Sequence, residues 1–194
     1  MAIRVCLLSV LVFLPCLVCD GGSDIGVFSE SFLQEYLGIR LALQKLMLFP
    51  LAQARERERA SVAYRLIQIG GFRRQAVTLF VVDSPGGLAS PEFVLWLQES
   101  EANSAFLRCS RHLVPEESGG SFVMGFERSG LFALPRFRED ASGDDFSTVI
   151  VERWRNGECH WLKRSYADAQ EAEKTFRETV ELFRNLQEAS VIEK

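Results

Sequence analysis

The spacing of hydrophobic positions changes several times along the chain, and each change marks an element. Residues 5–19 are almost unbroken hydrophobe, interrupted by Ser9 and Pro15, and polarity returns at Asp20-Gly21-Gly22. Farther on, apolar residues recur three and four apart at Phe32, Tyr36, Ile39, Leu43 and Met47, with a second row at Leu33, Leu37 and Leu41. That period predicts a helix over 32–49 with a wide buried face, opened by the capping pair Ser31 and Gln34 and ended or kinked at Pro50. The sign-alternating run 55–59 extends it as a solvated turn or forms a charged loop.

The period then drops to two. Val62, Tyr64 and Leu66 alternate with Ala63 and Arg65, and a phase shift at Ile67 and Ile69 suggests a bulge. Gly70-Gly71 predicts a hairpin, returned by a strand over 72–82 with Val77, Leu79 and Val81 on one face. Ser84-Pro85-Gly86-Gly87 is a loop, and Ser90 with Pro91 predicts a short helix over 91–99. Strands are expected over 105–114 and, from the alternation of Phe122, Met124 and Phe126, over 121–128, with a turn at 115–120 between them. A further short strand over 131–134 and a charged loop over 136–145 follow. Asn156-Gly157 is a strong hairpin signal between strands at 148–155 and 158–165. Asp168 and Glu171 cap a last helix, whose stripe is Ala169, Ala172, Phe176, Val180 and Phe183.

These elements predict an α+β fold. It has a single curved antiparallel sheet of about six hairpin-connected strands, with an N-terminal helix, a short middle helix and a C-terminal amphipathic helix covering one face. The expected organisation is a leader at 1–19, a flexible mature N-terminus at 20–30 and one domain at 31–190. The Asn-Gly hairpin followed by an amphipathic helix resembles, over roughly fifty residues, the last third of thylakoid-lumen oxygen-evolving accessory proteins.

The leader speaks to destination. Arg4 gives a positive start, and the apolar core is about fifteen residues, short of the roughly 20 that a spanning helix needs. The layout predicts a secretory signal peptide cleaved near Cys19. The mature chain would be exported to an extracellular, periplasmic or organelle-lumen space, with no spanning segment left. Acylation of Cys19 and an uncleaved leader are the alternatives. Of five cysteines, Cys6, Cys16 and Cys19 lie in the leader, which leaves Cys109 and Cys159 as a disulfide candidate or as two buried thiols.

Charge narrows the partner class. The formal net charge is −4, and removing Arg4 with the leader takes it one further, to −5, because all 26 acidic residues lie beyond it. A mildly acidic domain is a poor bulk binder of nucleic acid, whose phosphates demand a positive field.

Three sets of residues could carry chemistry. Ser84-Pro85-Gly86-Gly87 after a strand resembles the oxyanion loop of Clp-type serine proteases and signal-peptide peptidases. That resemblance implies glycine amides facing an oxyanion, with Ser104 as nucleophile, His112 as base and Asp83 or Asp140 as orienting acid. The chain departs from that family in its hairpins and in lacking a serine in a small-residue turn at a helix start, so a plain Pro-Gly turn is the simpler reading. His112 and His160 are the only histidines, without metal-ligand spacing, and no glycine-rich dinucleotide motif or phosphate loop occurs. No metal and no cofactor is therefore expected.

The third set is the last hairpin. Arg153, Trp154, Arg155, His160, Trp161, Lys163, Arg164 and Tyr166 concentrate positive charge and large aromatics within one stretch of an acidic protein. Guanidinium groups and aromatic faces suit a polar or anionic partner. The binding candidates are Arg153, Arg155, His160, Lys163, Arg164 and Tyr166. Period two sets Trp154, Cys159 and Trp161 on one side and Arg153, His160 and Leu162 on the other, with the Trp side expected under the C-terminal helix. The function this suggests is a small exported, non-catalytic binding or accessory domain whose partner is a protein or a polar or anionic ligand. A serine hydrolase built on the Ser84 loop is one alternative. A carrier or chaperone of an apolar ligand on the sheet face, drawing on fifteen phenylalanines, is another.

Overall fold

A computed structural model describes residues 44, 46–70, 73–84, 90–101, 107–135, 137–139, 147–166 and 173–191. The leader, the mature N-terminus, most of the first expected helix and Pro85-Gly86-Gly87 lie outside the described residues. So do Ser104, Asp140, Asp168 and Glu171.

Among the described residues, seven strands form one sheet in the order β4-β3-β2-β1-β6-β7-β5. β1 is Val62–Gly70, β2 Arg73–Val82, β3 Glu92–Glu101, β4 Leu107–Val114, β5 Phe137–Glu139, β6 Ser147–Arg155 and β7 Glu158–Tyr166. Six of them pair antiparallel, and the three-residue β5 adds to β7 in parallel. Three α-helices accompany them among the described residues: α1 at Leu51–Glu58, α2 at Glu116–Arg128 and α3 at Lys174–Val191. The α+β architecture read from the sequence is the one observed. Among the described residues, no helix is long and apolar enough to cross a membrane.

Alternation within the strands builds two different faces. Tyr64, Leu66, Val77, Leu79, Phe93, Leu95, Val151 and Leu162 point to one side and meet Phe122 and Phe126 of α2 and Phe176, Phe183 and Leu186 of α3. Ala63, Ile67, Ala76, Phe80, Val94 and Ile150 point to the other and meet Leu46, Leu48, Leu51 and Ala54. Both faces of the sheet are therefore covered, where the sequence suggested one. This is why β1 shows no clean alternation, being buried on both sides from Ala63 to Ile67. The phase shift at Ile67 marks that double burial. The β1–β2 register runs unbroken from Val62↔Val81 to Gly70↔Arg73, with no bulge.

Two elements differ in kind from the sequence expectation. The stretch after Pro91 is strand β3, not a helix: Phe93 and Leu95 serve one core while Val94 serves the other, so the run is apolar at every position. Proline is tolerated there because it precedes the first paired residue. The stretch 116–128 is helix α2, not a turn and strand. Phe122 and Phe126 are four apart and face the core together, whereas Met124 between them is 54 % exposed. Glu116 and Glu117 sit in the first turn, where carboxylates complement the helix dipole. Gly119 lets this helix lie against β3, since a Cβ there would overlap the Phe93 ring. Residues 131–133, expected as strand, form a 3-10 turn. Part of the expected charged loop, Phe137–Glu139, is β5.

Candidate functional site

The register of the last hairpin places its candidates. Tyr64 stands opposite Arg153, and Arg153 opposite His160, so the three side chains share the face that carries α2 and α3. Arg155 lies two residues along β6, on the same face. Asn156 (φ 54°) and Gly157 (φ 84°) both hold left-handed backbone, as the tight turn joining β6 to β7 requires.

Glu127, in the last turn of α2, closes the group. Its carboxylate accepts the Tyr64 hydroxyl at 2.8 Å and Arg153 Nη1 at 2.8 Å, and lies 3.4 Å from Arg155 Nη1. Burial, and then the Glu127 carboxylate, raise the Tyr64 phenol well above its ordinary value, so it remains a proton donor. The Phe132 ring lies 5.0 Å from the Arg153 guanidinium and 5.7 Å from the His160 ring. His160 Nε2 is 3.3 Å from a Glu158 carboxylate oxygen. The Arg155 side chain is 48 % exposed and that of Arg153 20 %, so the cluster is anchored inside and open outside. Exposed ion pairs stabilise a fold by only about 0–1 kcal/mol. The stronger consequence of Glu127 is positional, because one carboxylate holds two guanidinium groups side by side.

The other candidates are elsewhere. Arg164 shares the helical face but is fully buried, donating to Glu173 at 2.9 Å and to the Lys163 carbonyl at 2.8 Å. Lys163 points to the opposite face and is also buried. Tyr166 is the last residue of β7, in register with Ser147, and its side chain lies outside the described residues. Of the six candidates, the structure brings together Arg153, Arg155 and His160. Glu127 and Phe132 were missed because their segments were read as strand. Pro115 followed by Glu116-Glu117 was the available sign of a helix start.

Trp154 and Trp161 share a face, as alternation predicts, but it is the one turned away from α3. Trp154 packs in the cluster of Ala54 and Phe80, with the Arg55 guanidinium 3.9 Å from its ring. Leu162, from the other side of β7, packs in the core shared with Phe176 and Phe183. α3 therefore covers the Arg153–His160 side.

The cysteine pair does not come together either. Cys109 lies on β4 and Cys159 on β7, with four strands between them. Five spacings of about 4.8 Å put them some 24 Å apart, far beyond the roughly 7 Å a disulfide tolerates. Peptide mapping without reductant is expected to yield no 109–159 cross-linked peptide, and reductant should leave the thermal midpoint unchanged. Recovery of that peptide from folded protein would contradict the strand order.

The hydrolase constellation is not assembled among the described residues. His112 Nε2 meets Ser110 Oγ at 2.9 Å, a contact between strand neighbours on an exposed edge. Asp83 lies just past β2, and the residue two strands across from His112 is Leu79, four residues earlier on that strand. Ser84 follows in an irregular segment. No group of three or more His, Cys, Asp or Glu side chains among the described residues could hold a metal ion. No protein-family model and no curated protein matches the chain.

Proposed function

We propose that this chain is a small exported, non-catalytic binding or accessory domain that engages a polar or anionic partner at the turn end of the β6–β7 hairpin. The observation that carries the reading is the Arg153–Glu127–Arg155 arrangement. One carboxylate orients two guanidinium groups, and half of the Arg155 side chain stays in solvent. Such pre-oriented donors lower the ordering cost of binding, and bidentate N–H groups favour carboxylate or phosphate. Phe132 and His160 place aromatic surface beside the guanidinium groups, with Phe132 in cation–π range of Arg153. Export rests on the leader.

The test is an NMR titration of the full chain with acetate and with inorganic phosphate at matched ionic strength. Saturable shifts are expected at residues 153–160 and at the Arg155 Nε–Hε signal. Arg155→Glu should remove them at a cost of about 1 kcal/mol, from the lost Glu127 contact and the Glu158 carboxylate opposite it. Non-saturating shifts scattered over the surface, or shifts untouched by Arg155→Glu, would overturn the site. Specific labelling of Ser84 or Ser104 by a fluorophosphonate would overturn the non-catalytic reading.

A further inference from the structure

The two ends of the sheet are finished differently. At one end β5 pairs with β7 through Phe137–Glu139. At the other, β4 has β3 on its inner side and no strand among the described residues on its outer side. β4 pairs with β3 in one unbroken register, from Phe93↔Val114 to Ser100↔Leu107. A regular edge strand presents a row of N–H and C=O groups that another strand can complete, and proteins blunt such edges with proline, bulges or charge. β4 contains no proline and no bulge.

Its side chains say which strand would fit. Arg108, Cys109, Ser110 and Arg111 are exposed, and Leu113 is 56 % exposed, although large and apolar. The strand carries two arginines and a histidine, and no acidic residue. Glu58 lies 3.2 Å from Arg111 Nη2, and Glu99 stands opposite Arg108, but both acids are inboard of β4. The nearest side chains met by an incoming strand are therefore the cations. A second copy of β4 would crowd four arginines into one short ribbon, and like charges facing each other across strands are destabilising.

We infer that β4 accepts an added strand from a partner protein, an extended segment with acidic residues opposite Arg108 and Arg111 and an apolar residue opposite Leu113. Those three positions fix a pattern. An antiparallel strand reads apolar-x-acid-x-x-acid from its N-terminus, and a parallel one reads acid-x-x-acid-x-apolar. Backbone hydrogen bonds supply the attachment, and the side-chain spacing supplies selectivity. This surface is separate from the β6–β7 hairpin, because β4 and β7 are divided by four strands.

The experiment uses the full chain and an end-blocked peptide, Thr-Leu-Thr-Glu-Thr-Val-Glu-Thr, read by NMR. Saturable binding below about 1 mM is expected, with slowed amide exchange confined to residues 107–114. Replacing both glutamates by lysine should weaken binding at least about tenfold, and Arg108→Glu with Arg111→Glu should reverse the preference. Two further peptides, N-methylated at odd or at even positions, test the backbone. Strand addition requires one pattern to abolish binding and the other to preserve it. Equal behaviour of the two N-methyl patterns, absence of saturation, or indifference to the arginine swap in a variant with an unchanged melting curve would each overturn the proposal. So would a self-associating chain whose dimer the peptide dissolves. Arg155→Glu should leave peptide binding unchanged, so failure here is distinguishable from failure of the hairpin site.

Discussion

Arg164→Ala should destabilise the protein by about 3–5 kcal/mol, because it leaves buried polar groups without their partner. From sequence, Arg164 belongs to a basic surface. In the fold its side chain is fully enclosed, held by Glu173 just ahead of α3 and lying 5.8 Å from the Phe176 ring. A guanidinium taken out of water is tolerated when its charge and donors are met, and here Glu173 accepts from Nε and the Lys163 carbonyl from Nη1. The ion pair couples β7 to the start of α3, so its loss should loosen the docking of the helix as well. Chemical denaturation of five proteins measures this: wild type, Arg164→Ala, Arg164→Met, Glu173→Leu and the double variant combining Arg164→Met with Glu173→Leu. Each single change should be costly, and the double should recover much of the loss, since replacing a buried ion pair by apolar groups of similar volume is often close to neutral. An Arg164→Ala protein as stable as wild type would place that side chain in solvent and return it to the binding surface.

The parts of the fold legible in the sequence are those where a local signal and a tertiary demand coincide. Asn156-Gly157 adopts positive φ at both positions, a conformation these residues reach at low cost, so the β6–β7 hairpin follows from two letters. The Phe176–Val180–Phe183 stripe lies on the helix face that packs into the core. The rest was hidden where burial on two sides erases periodicity. β1 and β3 carry apolar residues on both faces because one face meets α2 and α3 and the other meets residues 46–54. Helical contacts four apart also coincide with strand contacts two apart whenever the middle residue is apolar, as Met124 is.

The site was half legible for the same reason. Arg153, Arg155 and His160 follow from hairpin alternation, whereas Glu127 and Phe132 reach them only through a helix placed by long-range packing. Lys163 and Arg164 look alike as letters. Their burial is set by Glu173 and by the opposite face of the sheet, neither of which is a neighbour in sequence.

Helix α2 supplies the sharpest test of this reading. Phe126→Ala should cost about 3–5 kcal/mol, the range for emptying a buried phenylalanine site. Its ring is 4.7 Å from that of Tyr64, 5.7 Å from that of Phe122 and 6.1 Å from that of Phe183, so the cavity would open at the junction of α2, α3 and the sheet. Rings on three separate elements cannot all collapse into the gap, which keeps the loss near the upper end. Phe122→Ala should be comparable, since Phe122 packs edge-on against Tyr64 at 5.5 Å and Phe183 at 4.8 Å. Met124→Ala, between them in sequence, should change stability by no more than about 0.5 kcal/mol. On a strand the three side chains would share one face and all three truncations would be costly. A pattern of large, small and large losses in urea titrations is the signature of the helix, and a uniform loss would restore the strand.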